Sequence, residues 1–429
     1  MKEFKKGDKI RLVTGGEITI ISKLGEGGQG IVYKVQFNGK EYALKWYFIK
    51  TIKEPDKFYD NLNNNATKGS PSSEFLWPLA VTEKQRGSFG YIMDLRPPEY
   101  KDFTHFLNAL VRYKSTDAVL NAALNMINAF QALHRKGYSY QDLNDGNFFI
   151  NPDNGDILIC DNDNVAPYGE SFGIGGKSRY MAPEVVLGTT RPNLDTDLFS
   201  LSVVLFMLMF IAHPLEGAKV VGCPCLTEES EVKFYASEPI FVFDPSDASN
   251  RPVRGIHNNI INLWPQFPTY LHDAFIRSFV VGAKDKHSRL RESEWKKIFL
   301  QLKDDMILCP KCGEENFASL NNNGVISCSN CSYKIDKPLS LVNNDFNIVL
   351  YPNKMITEWH IANGDNTEII GTVVQNKNNP NLWGIRNLSD KLWIVRFPNN
   401  DEKIIKKNEV TPVLKDISVE IGKQCFVIK

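Results

Sequence analysis

The chain of 429 residues has no hydrophobic run long enough to cross a bilayer: its most apolar stretch, Leu198 to Ala212, stops short of the roughly 20 residues a spanning helix needs. That stretch reads as a buried core helix. Charge of either sign is not in excess, because 50 Lys and Arg offset 50 Asp and Glu. No global field therefore draws the chain to nucleic acid or to an anionic membrane, and neither is expected as a partner. The N-terminal Met-Lys-Glu-Phe-Lys-Lys-Gly-Asp lacks the apolar segment of a signal peptide, which predicts a cytoplasmic protein. Cysteine is sparse. Four of the eight form two Cys-x-x-Cys units and the others suggest no disulfide framework, which suits a reducing compartment. Internal repeats are missing too. What is present is a composition 42% hydrophobic, which excludes a disordered chain and allows two or three domains, each with its own core.

Periodicity divides the chain. Short strands are predicted at Ile18 to Leu24, Ile31 to Phe37, Tyr42 to Tyr47, Phe75 to Ala80 and Gly90 to Met93, interrupted by one polar helical segment at Pro55 to Asn65. After Arg96 the period becomes helical. Ala118 to His134 puts Leu120, Leu124, Ile127 and Leu133 near one face, and further helices are expected at Leu198 to Ile211, Thr269 to Val281 and Glu292 to Leu302. From Leu341 strand patterning returns, at Asn347 to Tyr351, Glu368 to Val374, Lys391 to Phe397 and Gln424 to Ile428.

Polar chemistry concentrates in Tyr-Gln-Asp-Leu-Asn-Asp-Gly-Asn-Phe-Phe-Ile, ending at Ile150, and in the strand-like Ile-Leu-Ile-Cys-Asp that ends at Asp161. Asp142, then Asn147 five residues on, then Asp161 closing an apolar strand, is how a phosphoryl-transfer site supplies one base and two magnesium ligands. Asp163 competes with Asp161 for the last role; Asp161 is preferred because it directly ends the strand. Upstream, Gly25-Glu-Gly-Gly-Gln-Gly-Ile-Val32 lies between two candidate strands, where glycines let backbone N–H groups close on phosphate oxygens. Lys45, inside the apolar strand Ala43-Leu-Lys, needs an anionic partner if buried.

In this order and spacing the chain resembles the eukaryotic-type protein kinase family over roughly Ile18 to Leu302. The resemblance implies a bilobal fold, with a β-rich lobe to about residue 95 and a helical lobe from 96 to 304. It implies that Gly25, Gly27 and Gly30 cover the phosphates of ATP, with Leu24, Val32 and Ala43 against the adenine. Lys45 would contact the α and β phosphates, Met93 would be the gatekeeper, Asp94 to Arg96 the hinge, and Phe149 the floor of the purine. Asp142 matches the catalytic aspartate; Asn147 and Asp161 match the magnesium ligands. Met181-Ala-Pro-Glu184 looks like the end of an activation segment, Asp197 like the helix aspartate that ties to the catalytic loop, and Arg289 like the buried partner of Glu184. These favour protein over small-molecule substrates.

The departures are local. Tyr140-Gln141 stands for His-Arg, removing the arginine that grips a phosphorylated loop. Asn144 occupies a lysine position, and Asp161-Asn-Asp163 replaces Asp-Phe-Gly. Between Pro55 and Lys68 there is no glutamate to pair with Lys45: either Asp60 substitutes, or the helix is displaced, or Lys45 is held otherwise.

Cys309-Pro-Lys-Cys312 and Cys328-Ser-Asn-Cys331, fifteen residues apart, have the spacing of a four-thiolate zinc ribbon at 305–337; two disulfides are the alternative. Between Lys303 and Lys337 four lysines face five acids, so a protein contact or spacer role is expected rather than phosphate binding. Cys223-Pro-Cys225 reads as ordinary loop cysteines. Residues 340–429 predict a small β-sandwich whose Leu382-to-Trp393 segment resembles a forkhead-associated domain, with only Arg386, Asn387 and Ser389 offering anion contacts. The whole reads as an α+β multidomain chain. Its expected function is an ATP- and magnesium-dependent protein kinase of the serine/threonine type, with non-catalytic C-terminal modules and a structural zinc. The architecture resembles the kinase of bacterial tellurite-resistance-type triads, which implies a von Willebrand-type domain protein and a cognate protein phosphatase as partners. The alternatives are a nucleotide-binding pseudokinase scaffold and a zinc-ribbon nucleic-acid binder.

Overall fold

A computed structural model describes residues 3–170, 176–320, 324–362, 364 and 366–429. They form two compact units, one of residues 1–264 with 270–296 and the other of 265–269 with 297–429.

The first unit opens with a six-stranded antiparallel sheet. Its order is Lys9–Arg11, Glu17–Glu26, Gly30–Phe37, Lys40–Tyr47, Gly90–Met93 and Ala80–Val81. Alternation sets the faces: Ile18, Ile20, Ile31, Tyr33, Val35, Leu44 and Trp46 build one apolar core. Gly30 is required by packing, because a Cβ there would stand 2.2 Å from the Trp46 carbonyl oxygen. The helix Pro55–Lys68 has proline at its first turn and buries Phe58 and Leu62. Asn61 and Asn65, one turn apart, both donate to the Val165 carbonyl, at 2.9 and 3.2 Å.

The strand expected at Phe75 to Ala80 is mostly irregular. Phe75 makes an isolated parallel bridge with Ile159, and only Ala80–Val81 joins the sheet. Pro78 has no N–H for a ladder, and the Trp77 indole N–H is turned to the Asn65 carbonyl at 2.8 Å.

The helical part is organised by Thr116–Arg135, capped by Ser115, and Leu194–Phe210, capped by Asn193. From Thr196 to Phe210 every residue of the second helix is buried, as a helix apolar all round must be. The helix predicted to reach Val281 is α-helical only over Thr269–Ile276 and continues as a π-turn over Arg277–Val281.

The second unit carries two small hairpins, Met306–Leu308 with Glu315–Phe317 and Val325–Ser327 with Lys334–Asp336. Beyond them a six-stranded and a four-stranded sheet share a core of Leu341, Ile348, Ile356, Val373, Ile385, Trp393, Val395 and Phe426. Among the described residues no helix is long and apolar enough to cross a membrane.

Candidate active site

Lys45 lies in the strand Lys40–Tyr47 and is buried. Its ammonium contacts Asp163 at 2.8 and 3.1 Å, Asp161 at 3.0 Å and the Gln29 amide oxygen at 3.4 Å. Burial opposes the charge, but the two carboxylates overcome it and hold the lysine above its ordinary pKa. Asp163 is wholly buried and accepts a further hydrogen bond from the Tyr47 hydroxyl at 2.7 Å. Asp161 is different: its side chain remains 43% exposed. Asp60 is exposed, so the partner missing from the helix is supplied by the loop after the Ile157–Ile159 strand. Asn162, between the two acids, is anchored by donating to the Leu76 and Ile159 carbonyls at 2.8 and 2.9 Å.

The loop that carries Asp142 and Asn147 is tied to the core by one buried acid. Asp197 accepts from the Tyr140 backbone N–H at 2.7 Å and from His134 at 3.1 Å, while His134 also contacts Glu292. Burial disfavours the imidazolium, yet the two carboxylates raise His134 to about 9. Within the loop, Asn144 connects the predicted base to the predicted metal ligand. Its Nδ2 donates to Asp142 Oδ1 at 3.1 Å and its backbone N–H to Asn147 Oδ1 at 2.8 Å. Burial pushes Asp142 up to about 6, against the lowering effect of Asn144 and of Lys177. Asn147 joins the strand of Asp161 through its carbonyl, which accepts from the Cys160 N–H at 2.9 Å. Gln141 has a left-handed backbone and donates to the Glu170 carbonyl at 2.7 Å.

The residues assigned to the adenine come together in part. Ala43 and Met93 are strand neighbours and share an apolar cluster with Val32, Phe149, Leu95 and Leu158. Leu24 is outside that cluster and half exposed. Asp94 pairs with Lys40 at 2.9 Å, and the Arg96 guanidinium stands 4.1 Å over the Phe149 ring. Gly25 and Gly27 sit where an added Cβ would meet nothing within 4 Å, unlike Gly30, so the space beside them is open. Glu184 and Arg289 form a two-pronged pair at 2.7 and 2.8 Å. Sequence reasoning missed Tyr47, Gln29 and Lys177, because nothing in local spacing signals which strand or loop residue meets a charge folded against it.

In the second unit the sulfurs of Cys309, Cys312, Cys328 and Cys331 lie within 4.8 Å of one another. Cys309 and Cys331 are 3.7 Å apart, Cys312 and Cys328 3.6 Å. A disulfide needs about 2.05 Å, and none of the eight cysteines is in one. A tetrahedral zinc with bonds of about 2.3 Å needs sulfurs about 3.8 Å apart, so the donor set fits. Each hairpin makes a knuckle: the Gly313 N–H bonds to the Cys309 carbonyl and the Ser332 N–H to that of Cys328, both turning through left-handed residues. In the sheet region Asn387 is buried, donates to the Lys391 and Ile405 carbonyls and accepts from Ser389. Of the three anion candidates only Arg386 keeps an exposed side chain free of such bonds.

With this geometry in place, comparison with known families gives a class. Residues 18–227, just under half of the chain, match the model of the protein kinase domain. The chain carries a protein kinase domain. Casein kinase I homolog 1 of Saccharomyces cerevisiae is 27% identical over 229 residues, 48% of this chain and 40% of that protein. A cGMP-dependent protein kinase of Drosophila melanogaster, isozyme 2 forms cD5/T2, is 24% identical over 229 residues, 51% of this chain and 23% of that protein. Protein kinase C delta type of Mus musculus is 26% identical over 204 residues, 45% of this chain and 29% of that protein. The chain spans less than half the length of these curated relatives.

Proposed function

We propose that the chain is an ATP- and magnesium-dependent protein kinase that transfers the γ-phosphate to serine or threonine hydroxyls. The observation that carries this reading is the convergence of Lys45 with Asp161, and of Asp142 with Asn147 through Asn144, on one loop system. Asp161 and Asn147 offer hard oxygen ligands suited to magnesium, and Asp161 keeps its carboxylate open to the cleft. Bound magnesium supplies neutralisation of the β- and γ-phosphate charge. Asp142 accepts or orients the hydroxyl proton; Lys45 is poised for the α and β phosphates; Asp163 fixes Lys45 from below. The roles of Gly25, Gly27, Gly30, Val32, Ala43, Met93, Asp94, Arg96 and Phe149 in holding the nucleotide are part of the same proposal.

Asp142→Ala is expected to lower turnover by about 10² to 10⁴ with labelled ATP and magnesium; unchanged phosphotransfer by the variant would sink the assignment. One observation favours a second reading, a nucleotide-binding scaffold: Lys45 is already saturated by two carboxylates. ATP binding without transfer to any protein hydroxyl would select it.

We assign a structural zinc to the four cysteines, supported by their sulfur spacing. Four thiolates leave no open position for chemistry. The β-sheet region is read as a forkhead-associated-like module that does not bind phosphopeptides, supported by the internal use of Asn387 and Ser389. On resemblance of architecture, candidate partners are a von Willebrand-type domain protein and a protein phosphatase in the cytoplasm. Labelling of the former by the purified chain is the test.

A further inference from the structure

Asn144 sits between two charges. Its Nδ2 donates to Asp142 at 3.1 Å and its Oδ1 accepts from the Lys177 ammonium at 3.0 Å. Lys177 therefore reaches, from 33 residues further along the chain, the side chain that holds the base. Among the described residues it is the only cation hydrogen-bonded to that pair. Its ammonium is also 3.5 Å from Asp145, yet the Lys177 side chain stays 56% exposed. An exposed pair of that kind contributes at most about 1 kcal/mol to stability, while the Lys177 backbone N–H bonds to Asp142 and sets where the side chain starts. An ammonium carries three donors. Asn144 accepts from one and Asp145 lies at ion-pair distance of a second, which leaves at least one for the open side of the site.

We propose that Lys177 is a catalytic cation of phosphoryl transfer, donating its free N–H to a non-bridging oxygen of the migrating phosphoryl group while Asn144 holds it in register with Asp142. This rests on the kinase reading above. In the step, the bond from Pγ to the β,γ-bridging oxygen breaks and its electron pair leaves with ADP. The substrate hydroxyl oxygen bonds Pγ, and its proton passes to Asp142. Charge on the phosphoryl oxygens is then met by a donor already oriented, which is where electrostatic stabilisation acts most strongly. Lys45 is occupied by Asp161 and Asp163, so it does not provide this contact from its observed position.

The test uses the full chain with labelled ATP, magnesium and its own hydroxyls or added casein as acceptor, with nucleotide affinity measured separately by a fluorescent ATP analogue. Lys177→Met is expected to lower single-turnover transfer by about 10²-fold while changing nucleotide affinity less than about threefold. Because Asn144 lies beside the same ammonium position, Asn144→Lys combined with Lys177→Met should regain at least about tenfold of that loss. Wild-type transfer by Lys177→Met, a loss matched by lost nucleotide affinity or melting, or failure of the double variant to recover would each overturn the proposal. An inert wild-type chain that binds ATP is a different result: it removes the kinase reading and this proposal together.

Discussion

The Lys45 centre and the four-cysteine cluster differ in where their charge balance comes from. Around Lys45 every partner is a residue of the chain: two carboxylates and the Gln29 amide meet the ammonium, and the hydroxyls of Tyr47 and Tyr91 complete Asp163. Around the cysteines the chain supplies ligands of one kind, with neutral donors beside them: the Asn316 amide at 3.7 Å from Cys328 and the backbone N–H groups of Glu314 and Asn330. The first is complete before nucleotide arrives. The second is complete once a cation sits among the sulfurs. A site that meets its own charge can be rigid and preformed, whereas one that leaves it unmet makes folding depend on what it binds.

The largest expected effect is on the cysteines. Stripping the proposed zinc should remove about 10 to 16 kcal/mol of binding free energy from two hairpins with little core of their own. Amide exchange over residues 306–336 should lose its protection on chelation, and elemental analysis should find one zinc per chain; protected hairpins without metal would erase the contrast. Next comes Asp163→Asn, which leaves a buried ammonium short of its closest anion. Unfolding by denaturant should show a loss of about 3 to 5 kcal/mol. A loss within error would mean that Asp161 alone balances Lys45.

His134 sharpens the comparison with a second buried cation balanced by two carboxylates. Its pKa is raised from 6.5 to about 9, so its contribution is fully present below 6.5 and is lost as pH rises through 9. The contribution is on the order of 3 kcal/mol. Stability of the kinase unit measured from pH 6 to 10 should fall in that window in the wild type and stay flatter in Asp197→Asn.

Much of this was legible in the sequence where chemistry follows the local order of residues. The helix Thr116–Arg135 and the sheet strand Gly90–Met93 follow from period and turn residues, and the cysteine cluster from spacing. The Asp142–Asn147 connection was legible as a pattern. Its linker was not: as a sequence letter Asn144 is a missing lysine, and only the fold makes it a bridge between the two candidate side chains. The choice of partner for Lys45 was beyond reach for a physical reason. It lies 118 positions away at Asp163, and sequence spacing carries no information on which of two nearby acids turns inward. Phe75 to Ala80 misled because its N–H groups do pair, but Leu76 donates to Ile159 and Leu79 to Ile92, with Pro78 breaking any single ladder between them.

The anchoring of Lys45 by Asp163 bears on inhibitor selectivity. Asp161 and Asp163 are two residues apart on one short turn, so rotating the first outward drags the second away from a buried ammonium. A compound that requires this segment turned outward must leave Lys45 without its carboxylates. One that only fills the space beside Met93 and Phe149 disturbs neither, and this kinase domain should discriminate between the two chemotypes more sharply than one whose lysine is paired from a separate helix.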